Sequence, residues 1–213
     1  MMHRELTGVR ADRCYSYVAL EKMTAHVRDS LKISPNDGIK PLELFESLDD
    51  ITVRRIGREP IRLRHGVEML DELEGYTRYS RQDDVIEVLA SELTYQWLEE
   101  RHPRACYFVA HELGHCVLHT EQLVRLAQMP TNQLAALHRG GQAGHKAYED
   151  TEWQANAFAS ALLMPARGLA ALEAERAGEL WVGDIADRFG VSIEAAGYRL
   201  ELWKEKRAQL LRA

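Results

Sequence analysis

His111, Glu112 and His115 have the types and the spacing that a metal-dependent hydrolase requires. They form a His-Glu-x-x-His pattern, and in a helix the two histidines lie one turn apart on one face, where both rings can bind one metal ion. Glu112 stands beside them and can act as the general base. The flanking residues are apolar and predict a buried helix, in which these polar groups need a function. A core helix with hydrogen-bonded histidines is the simpler but less favoured alternative.

A zinc site of this kind needs a third protein ligand and leaves one position for water. His119 follows at the same spacing, but side chains on three successive turns of one straight helix do not converge on one ion. We therefore expect His119 to lie behind the ligands or at the surface. His138 and His145 flank a glycine-rich segment, which suits a lid or a surface better than a rigid ligand.

Glu152 is the better candidate for the third ligand, near the start of a helix predicted over residues 148–163. Asn156 lies one turn later on the same face, and its amide can orient one of the ligating histidines from behind. A solvated carboxylate that complements the helix dipole explains Glu152 equally well on spacing alone.

The composition is typical of a globular protein with one main domain. The chain has 213 residues, of which 46% are hydrophobic and 28% charged, and its formal net charge is -6. The negative charge argues against a nucleic-acid footprint, and no apolar run is long enough to span a membrane. The three cysteines and an N-terminus without an apolar segment predict a cytoplasmic protein. Residues 185–191 resemble half of a helix-turn-helix, but the mixed charges of the final helix favour packing of residues 180–205 on the core over DNA binding.

The elements that must position these side chains are mostly helices. We predict an α+β fold in which a small antiparallel sheet of about three strands, between residues 50 and 90, precedes a motif helix over residues 103–119. Other helices are predicted over much of residues 1–32, over residues 42–48, 94–100, 121–128, 132–138 and 182–189, and from 193 to about 210. The predicted organisation is an N-terminal helical segment (1–39), a core that carries the His-Glu-x-x-His motif (40–175) and a C-terminal helical extension packed on that core (176–213).

Two stretches resemble the ImmA/IrrE family of zinc metallopeptidases. Residues 107–119 read Tyr-Phe-Val-Ala-His-Glu-Leu-Gly-His-Cys-Val-Leu-His, and residues 152–165 read Glu-Trp-Gln-Ala-Asn-Ala-Phe-Ala-Ser-Ala-Leu-Leu-Met-Pro. Cys106 and Tyr107 depart from the Arg and Phe of the family pattern. The resemblance covers about residues 40–205, within which residues 121–148 look like an insertion.

The resemblance implies a zincin-like domain with one Zn²⁺ ion held by His111, His115 and Glu152, and Glu112 as the base in peptide-bond hydrolysis. The implied substrate is a helix-turn-helix transcriptional repressor, cleaved in a stress, mobile-element or toxin–antitoxin context. The alternative is a zinc-containing regulatory or interaction protein with little peptidase activity, in which a fourth protein ligand such as His119 closes the site. The candidate donors to the oxyanion are Tyr107, His138, His145 and Tyr148.

Overall fold

The computed structural model describes residues 9–71, 73–129 and 146–213. The helices are α1 (Tyr17–Ser30), α2 (Pro41–Glu46), α3 (Glu92–Glu99), α4 (Pro103–Leu118), α5 (Thr120–Leu126), α6 (Thr151–Leu163), α7 (Ala166–Glu175), α8 (Val182–Phe189) and α9 (Ile193–Leu210). The strands are β1 (Thr52–Arg55), β2 (Arg58–Glu68), β3 (Gly75–Ser80) and β4 (Val85–Ser91), and 3-10 turns cover Ser47–Asp50 and Ala147–Glu149. The predicted α+β, mostly helical fold is confirmed, with the sheet before the motif helix.

The sheet differs from the prediction in the number of its strands and in one pairing. Within the described residues it has four strands in the order β1-β2-β4-β3, and β2 runs parallel to β4 while the other pairs are antiparallel. Every residue of β4 is buried, whereas most residues of β3 are half-buried and one is exposed. A continuously buried strand fits the middle of a sheet and a partly exposed strand fits its edge, which explains why β4 lies between β2 and β3.

Most of β2 lacks the residues that predict a strand. Its first half contains Pro60 and alternates arginines with the two core residues Ile61 and Leu63, which are 1% and 2% exposed. Pro60 is tolerated because the pairing of β2 with β4 begins only at Arg62, so the missing N–H breaks no bond to β4. The sequence pattern therefore predicts only the end of this strand.

α4 contacts the sheet through β1, β3 and β4, and it packs along α6. α6 in turn packs against α1, and α1 contacts α9. The guanidinium of Arg199 on α9 forms a buried ion pair with Glu21 on α1 and donates a 2.8 Å hydrogen bond to the carbonyl oxygen of Met164. The first and last helices of the described chain are thus joined at the end of α6.

The N-terminal helix is shorter than predicted. Helix α1 begins after Ser16, whose hydroxyl accepts a 3.2 Å hydrogen bond from the backbone N–H of Ala19 and caps the helix. Ahead of it, the backbone N–H of Ala11 donates to the carbonyl oxygen of Glu149 at 2.7 Å, and Arg10 forms a β-bridge with Asp150. This extended segment therefore lies against the start of α6.

Two further differences concern helices α5 and α7. Helix α5 ends two residues earlier than the predicted end at residue 128, and α7 has no counterpart in the prediction. The helix predicted over residues 132–138 and the glycine-rich residues 139–145 lie outside the described residues. No single helix in the described ranges is both long and apolar enough to cross a membrane. Helices α6 and α7, with a bend of 44° between them, reach that length and apolar composition only together.

Candidate metal centre

His111 and His115 lie one turn apart on α4, as the sequence predicts. The helix begins at Pro103, whose fixed φ suits the first helical position. The ring Nδ1 of His102 accepts a 3.3 Å hydrogen bond from the backbone N–H of Arg104 and caps the helix. The two histidine rings have centroids 4.8 Å apart and an interplanar angle of 71°.

Glu152 lies in the first turn of α6, and the close packing of α6 on α4 brings it to the histidines. A Cβ atom placed on Gly114 would lie 3.2 Å from the Cα and carbonyl oxygen of Ala155 and 3.2 Å from Cδ1 of Phe158. Only glycine leaves this space free, so the two helices approach each other without a side chain between them. Gly114 therefore sets the distance between Glu152 and the histidine pair.

The three predicted ligands form one compact cluster. Nε2 of His111 lies 3.1 Å from Oε2 of Glu152, Nε2 of His115 lies 3.3 Å from Oε1, and the two Nε2 atoms are 3.0 Å apart. Their possible ligand atoms all lie within 4.8 Å of one another. Two ligands that each lie 2.0–2.1 Å from one tetrahedral zinc ion are about 3.3 Å apart. The spacing of the cluster fits that geometry.

Asn156 contacts the far side of the His111 ring, as the sequence predicts. Its Oδ1 lies 3.1 Å from Nδ1 of His111 and accepts a 3.2 Å hydrogen bond from the hydroxyl of Tyr107. An amide oxygen only accepts, so Nδ1 of His111 carries a proton, and in the neutral ring Nε2 presents a lone pair to the cluster. This lone pair points at a second imidazole nitrogen and at a carboxylate, an arrangement that is favourable when a cation lies between the three groups.

His119 is buried and does not belong to the cluster. Its Nδ1 lies 3.2 Å from Nδ1 of His115, and its Nε2 lies 3.0 Å from Oε1 of Gln154. Burial, with the nearby His115 ring, lowers the pKa of His119 to about 4, so its ring is neutral at neutral pH. His119 therefore contacts a predicted ligand from behind.

Glu112 is held by the sheet. The hydroxyl of Thr77 on β3 donates a 2.6 Å hydrogen bond to Oε2 of Glu112. A Cβ on Gly75 would lie 2.2 Å from the carbonyl oxygen of Leu89 and 2.3 Å from Cζ of Phe108, so β3 passes close to the Phe108 side chain of α4. Close approaches at two glycines thus bring both neighbouring elements onto the motif helix.

The charges in the cluster favour a bound cation. Burial lowers the pKa of His111, but its hydrogen bond with Glu152 and the charges of Glu112 and Glu152 outweigh burial and raise the net pKa above the ordinary value. Burial raises the pKa of the Glu152 carboxyl, but its bonds with His111 and His115 lower the net pKa below the usual range. The side chain of Glu152 is 37% exposed, so solvent reaches the cluster. Positive charge is therefore stabilised at this point, whether a proton or a metal ion carries it.

Thr77 contacts Glu112, and Gln154 contacts His119, although the sequence pattern singles out neither Thr77 nor Gln154. Thr77 lies in a short polar strand, and only the packing of β3 on α4 reveals its contact with Glu112. Gln154 gave a weak signal, since it is a polar residue on an otherwise apolar part of α6. Among the other candidates, Tyr107 is hydrogen-bonded to Asn156 and Tyr148 lies in the 3-10 turn before α6, while His138 and His145 lie outside the described residues.

Comparison with known proteins identifies a family and structural neighbours. Residues 97–201 match the model of the Peptidase M78 family, described as the IrrE N-terminal-like domain. No curated protein matches the chain. A solved structure titled "Mycobacterium tuberculosis transcriptional regulator" is 19% identical, with a TM-score of 0.47 over 85% of this chain and 46% of its own. The present chain thus spans less than half the length of that regulator.

Proposed function

Because residues 97–201 belong to the Peptidase M78 family of IrrE N-terminal-like domains, we propose that this chain is a zinc-dependent endopeptidase. In this proposal His111, His115 and Glu152 bind one Zn²⁺ ion and Glu112 is the general base. The observation that carries it is the convergence of two Nε2 atoms and one carboxylate at mutual distances of 3.0–3.3 Å. Two imidazoles and one carboxylate are a donor set that zinc peptidases use.

In the proposed hydrolysis, each of these protein groups has a separate role. When bound, zinc polarises the scissile carbonyl and lowers the pKa of water toward ~7. Glu112 takes the proton of the attacking water and delivers it to the leaving amine. The Thr77 hydroxyl donates to Oε2 of Glu112, and we assign proton transfer to the other oxygen, Oε1. Asn156 holds His111 in the tautomer that a ligand requires.

An extended segment of a protein fits the surroundings of Glu112 as substrate. In the described part of the sheet β3 is an edge strand, and Thr77 of this strand contacts Glu112 directly. An edge strand can pair with an added extended peptide, which would then run beside the base. By the resemblance to the ImmA/IrrE family, we propose that the substrate is a helix-turn-helix repressor, cleaved in response to stress or an inducing signal.

The alternative is a zinc-containing regulatory or interaction protein in which the metal is structural. A structural zinc site has four protein ligands, and His119 would be the fourth on the motif helix. His119 instead contacts the ring nitrogen of His115 that faces away from the cluster, and the cluster found in the described ranges has three members. This arrangement supports the enzyme.

Metal analysis combined with a cleavage assay tests the proposal. The purified protein should contain one zinc ion per chain and should cut a repressor encoded beside it in the genome. Glu112→Gln should keep the zinc and reduce cleavage by at least 10²-fold, because a positioned general base contributes about 10²–10⁴-fold. His115→Ala should lose the metal.

The Glu112→Gln variant and the wild type together distinguish the possible outcomes. Full cleavage by zinc-loaded Glu112→Gln would contradict the role of Glu112. A wild-type protein that binds zinc and cuts none of the neighbouring repressors, nor an unfolded protein substrate, would favour the regulatory alternative.

A further inference from the structure

The side chain of Gln154 has one orientation that satisfies its neighbours. Its Nε2 lies 2.7 Å from the carbonyl oxygen of Arg13 and 2.8 Å from that of Tyr148. Carbonyl oxygens only accept hydrogen bonds, so the amide nitrogen must face them and Oε1 must point away. Gln154 is fully buried, where an unsatisfied amide is costly. The extended N-terminal segment and the turn before α6 thus fix this amide.

The orientation of Gln154 determines the tautomer of His119. Oε1 of Gln154 can only accept, and it lies 3.0 Å from Nε2 of His119, so that nitrogen carries the proton. His119 is buried, and its ring nitrogens contact an imidazole and an amide oxygen, neither of which carries a negative charge, so a positive ring would be costly and the ring is neutral. A neutral ring protonated at Nε2 has its lone pair on Nδ1. That Nδ1 lies 3.2 Å from Nδ1 of His115, where one nitrogen must donate and the other accept. His119 is therefore the acceptor and His115 the donor.

A proton on Nδ1 leaves the lone pair of His115 on Nε2, which is the atom in the metal-binding cluster. We propose that Gln154 and His119 are positioning residues of the metal centre, and that they hold His115 in the tautomer that binds the metal. His111 is held by a different device, the amide oxygen of Asn156. The inference rests on the proposed function only in that both use the same metal centre.

The opposite tautomer shows why this chain of hydrogen bonds matters. If His119 donated from Nδ1, then His115 would have to accept there and would carry its proton on Nε2. That proton would point into the cluster and exclude the ion. Loss of a residue that hydrogen-bonds to a ligating histidine typically lowers metal affinity about 10- to 100-fold.

His119→Asn and His119→Leu form a matched pair for the test. The two side chains have the same branched shape, but Asn can place an amide oxygen near the position of Nδ1 and Leu offers no acceptor. Zinc affinity is measured by competition with a chromophoric chelator. We expect the Leu variant to bind zinc about 10- to 100-fold more weakly than the wild type, and the Asn variant to recover most of that loss.

Thermal unfolding of the metal-free proteins separates positioning from a merely structural role. Loss of packing alone would lower the Tm of both variants and would not separate their zinc affinities. A folded Leu variant that binds zinc as tightly as the wild type would overturn the inference, and so would equal losses in the Asn and Leu variants.

A spectroscopic measurement on the unmodified protein covers the case in which the Leu variant does not fold. Nitrogen-15 NMR of the histidine rings in the zinc-loaded wild type should show His119 neutral and protonated at Nε2. A ring protonated at Nδ1, or at both nitrogens, would overturn the inference.

A protein that passes these tests and cuts no substrate would contradict the proposed peptidase function and leave this inference standing. A wild type that binds no zinc would overturn both.

Discussion

The side-chain hydroxyl of Thr77 on β3 donates a 2.6 Å hydrogen bond to Oε2 of Glu112 on α4. The bond joins the edge of the sheet to the motif helix across 35 residues of sequence. It exists because β3 passes close to α4 at Gly75, where a side chain would collide with Phe108. The position of the proposed base is therefore fixed by tertiary packing as well as by the helix that carries it.

Loss of the Thr77 hydroxyl should slow catalysis without removing the metal. A hydrogen bond to a charged group contributes about 1.5–3 kcal/mol, so we expect Thr77→Val to lower kcat by about 10- to 100-fold. Thr77→Ser keeps the hydroxyl and should retain most of the activity. Zinc content and kcat are measured on the same preparations, and an unchanged kcat in the Val variant would show that Glu112 does not depend on this bond.

A methyl group on Gly114 should push α6 away from α4. Its carbon would lie 3.2 Å from backbone atoms of Ala155, which must shift by a few tenths of an ångström. Overpacking of this kind typically costs about 1–3 kcal/mol, and the shift moves Glu152 away from the histidines. We expect Gly114→Ala to be less stable to denaturant and to bind zinc more weakly.

Gly197 on α9 provides the matched control for this substitution. A Cβ there meets nothing within 4 Å, so Gly197→Ala should leave zinc binding unchanged and stabilise the helix by up to about 1 kcal/mol. Equal zinc affinity in the two alanine variants would contradict the proposed role of Gly114.

Glu152→Gln should lose zinc during dialysis, because a neutral amide replaces the charged ligand of the cluster. Glu194→Gln is the control, since Glu194 is an exposed acid in the first turn of α9 and has the same position relative to its helix dipole. Elemental analysis of the dialysed proteins checks both. Full zinc content in the Glu152 variant would exclude this residue as a ligand.

The buried ion pair between Arg199 and Glu21 should matter for stability rather than for chemistry. Removal of one partner leaves a buried charge without compensation, which costs about 3–5 kcal/mol, so Arg199→Met should greatly lower the free energy of unfolding. Lys206→Met breaks an ion pair in which Glu205 is exposed and should cost at most about 1 kcal/mol. Denaturant titration measures both, and similar values would mean that the buried pair adds little.

Features that depend on local sequence could be predicted. The apolar flanks indicated the motif helix, which begins at Pro103 as the predicted range does. Helix α9 begins at the predicted residue 193, where the hydroxyl of Ser192 accepts a 3.1 Å hydrogen bond from the N–H of Ala195. The family was predicted from residues 107–119 and 152–165, and the match over residues 97–201 confirms it there. These signals reside in a few neighbouring residues, so no tertiary contact was needed to read them.

Features that arise from contacts between elements could not be predicted. The parallel pairing of β2 with β4 depends on the full burial of β4. A sheet in which each strand pairs with the next through a hairpin is the simpler arrangement, and it competes with this one when only the sequence is known. The contact of Thr77 with Glu112 requires knowledge of how β3 crosses α4. The role of Gln154 depends on Arg13, which lies 141 residues away in the sequence.

The amide of Gln154 is fixed in part by the carbonyl oxygen of Arg13, and Arg13 and Thr77 both lie outside the family segment, residues 97–201. A protein cut down to that segment would keep all three proposed ligands and the proposed base but would lose the hydrogen bonds that orient two of these four side chains. Two chains with the same motif can therefore differ in metal retention and turnover through residues that no motif comparison examines.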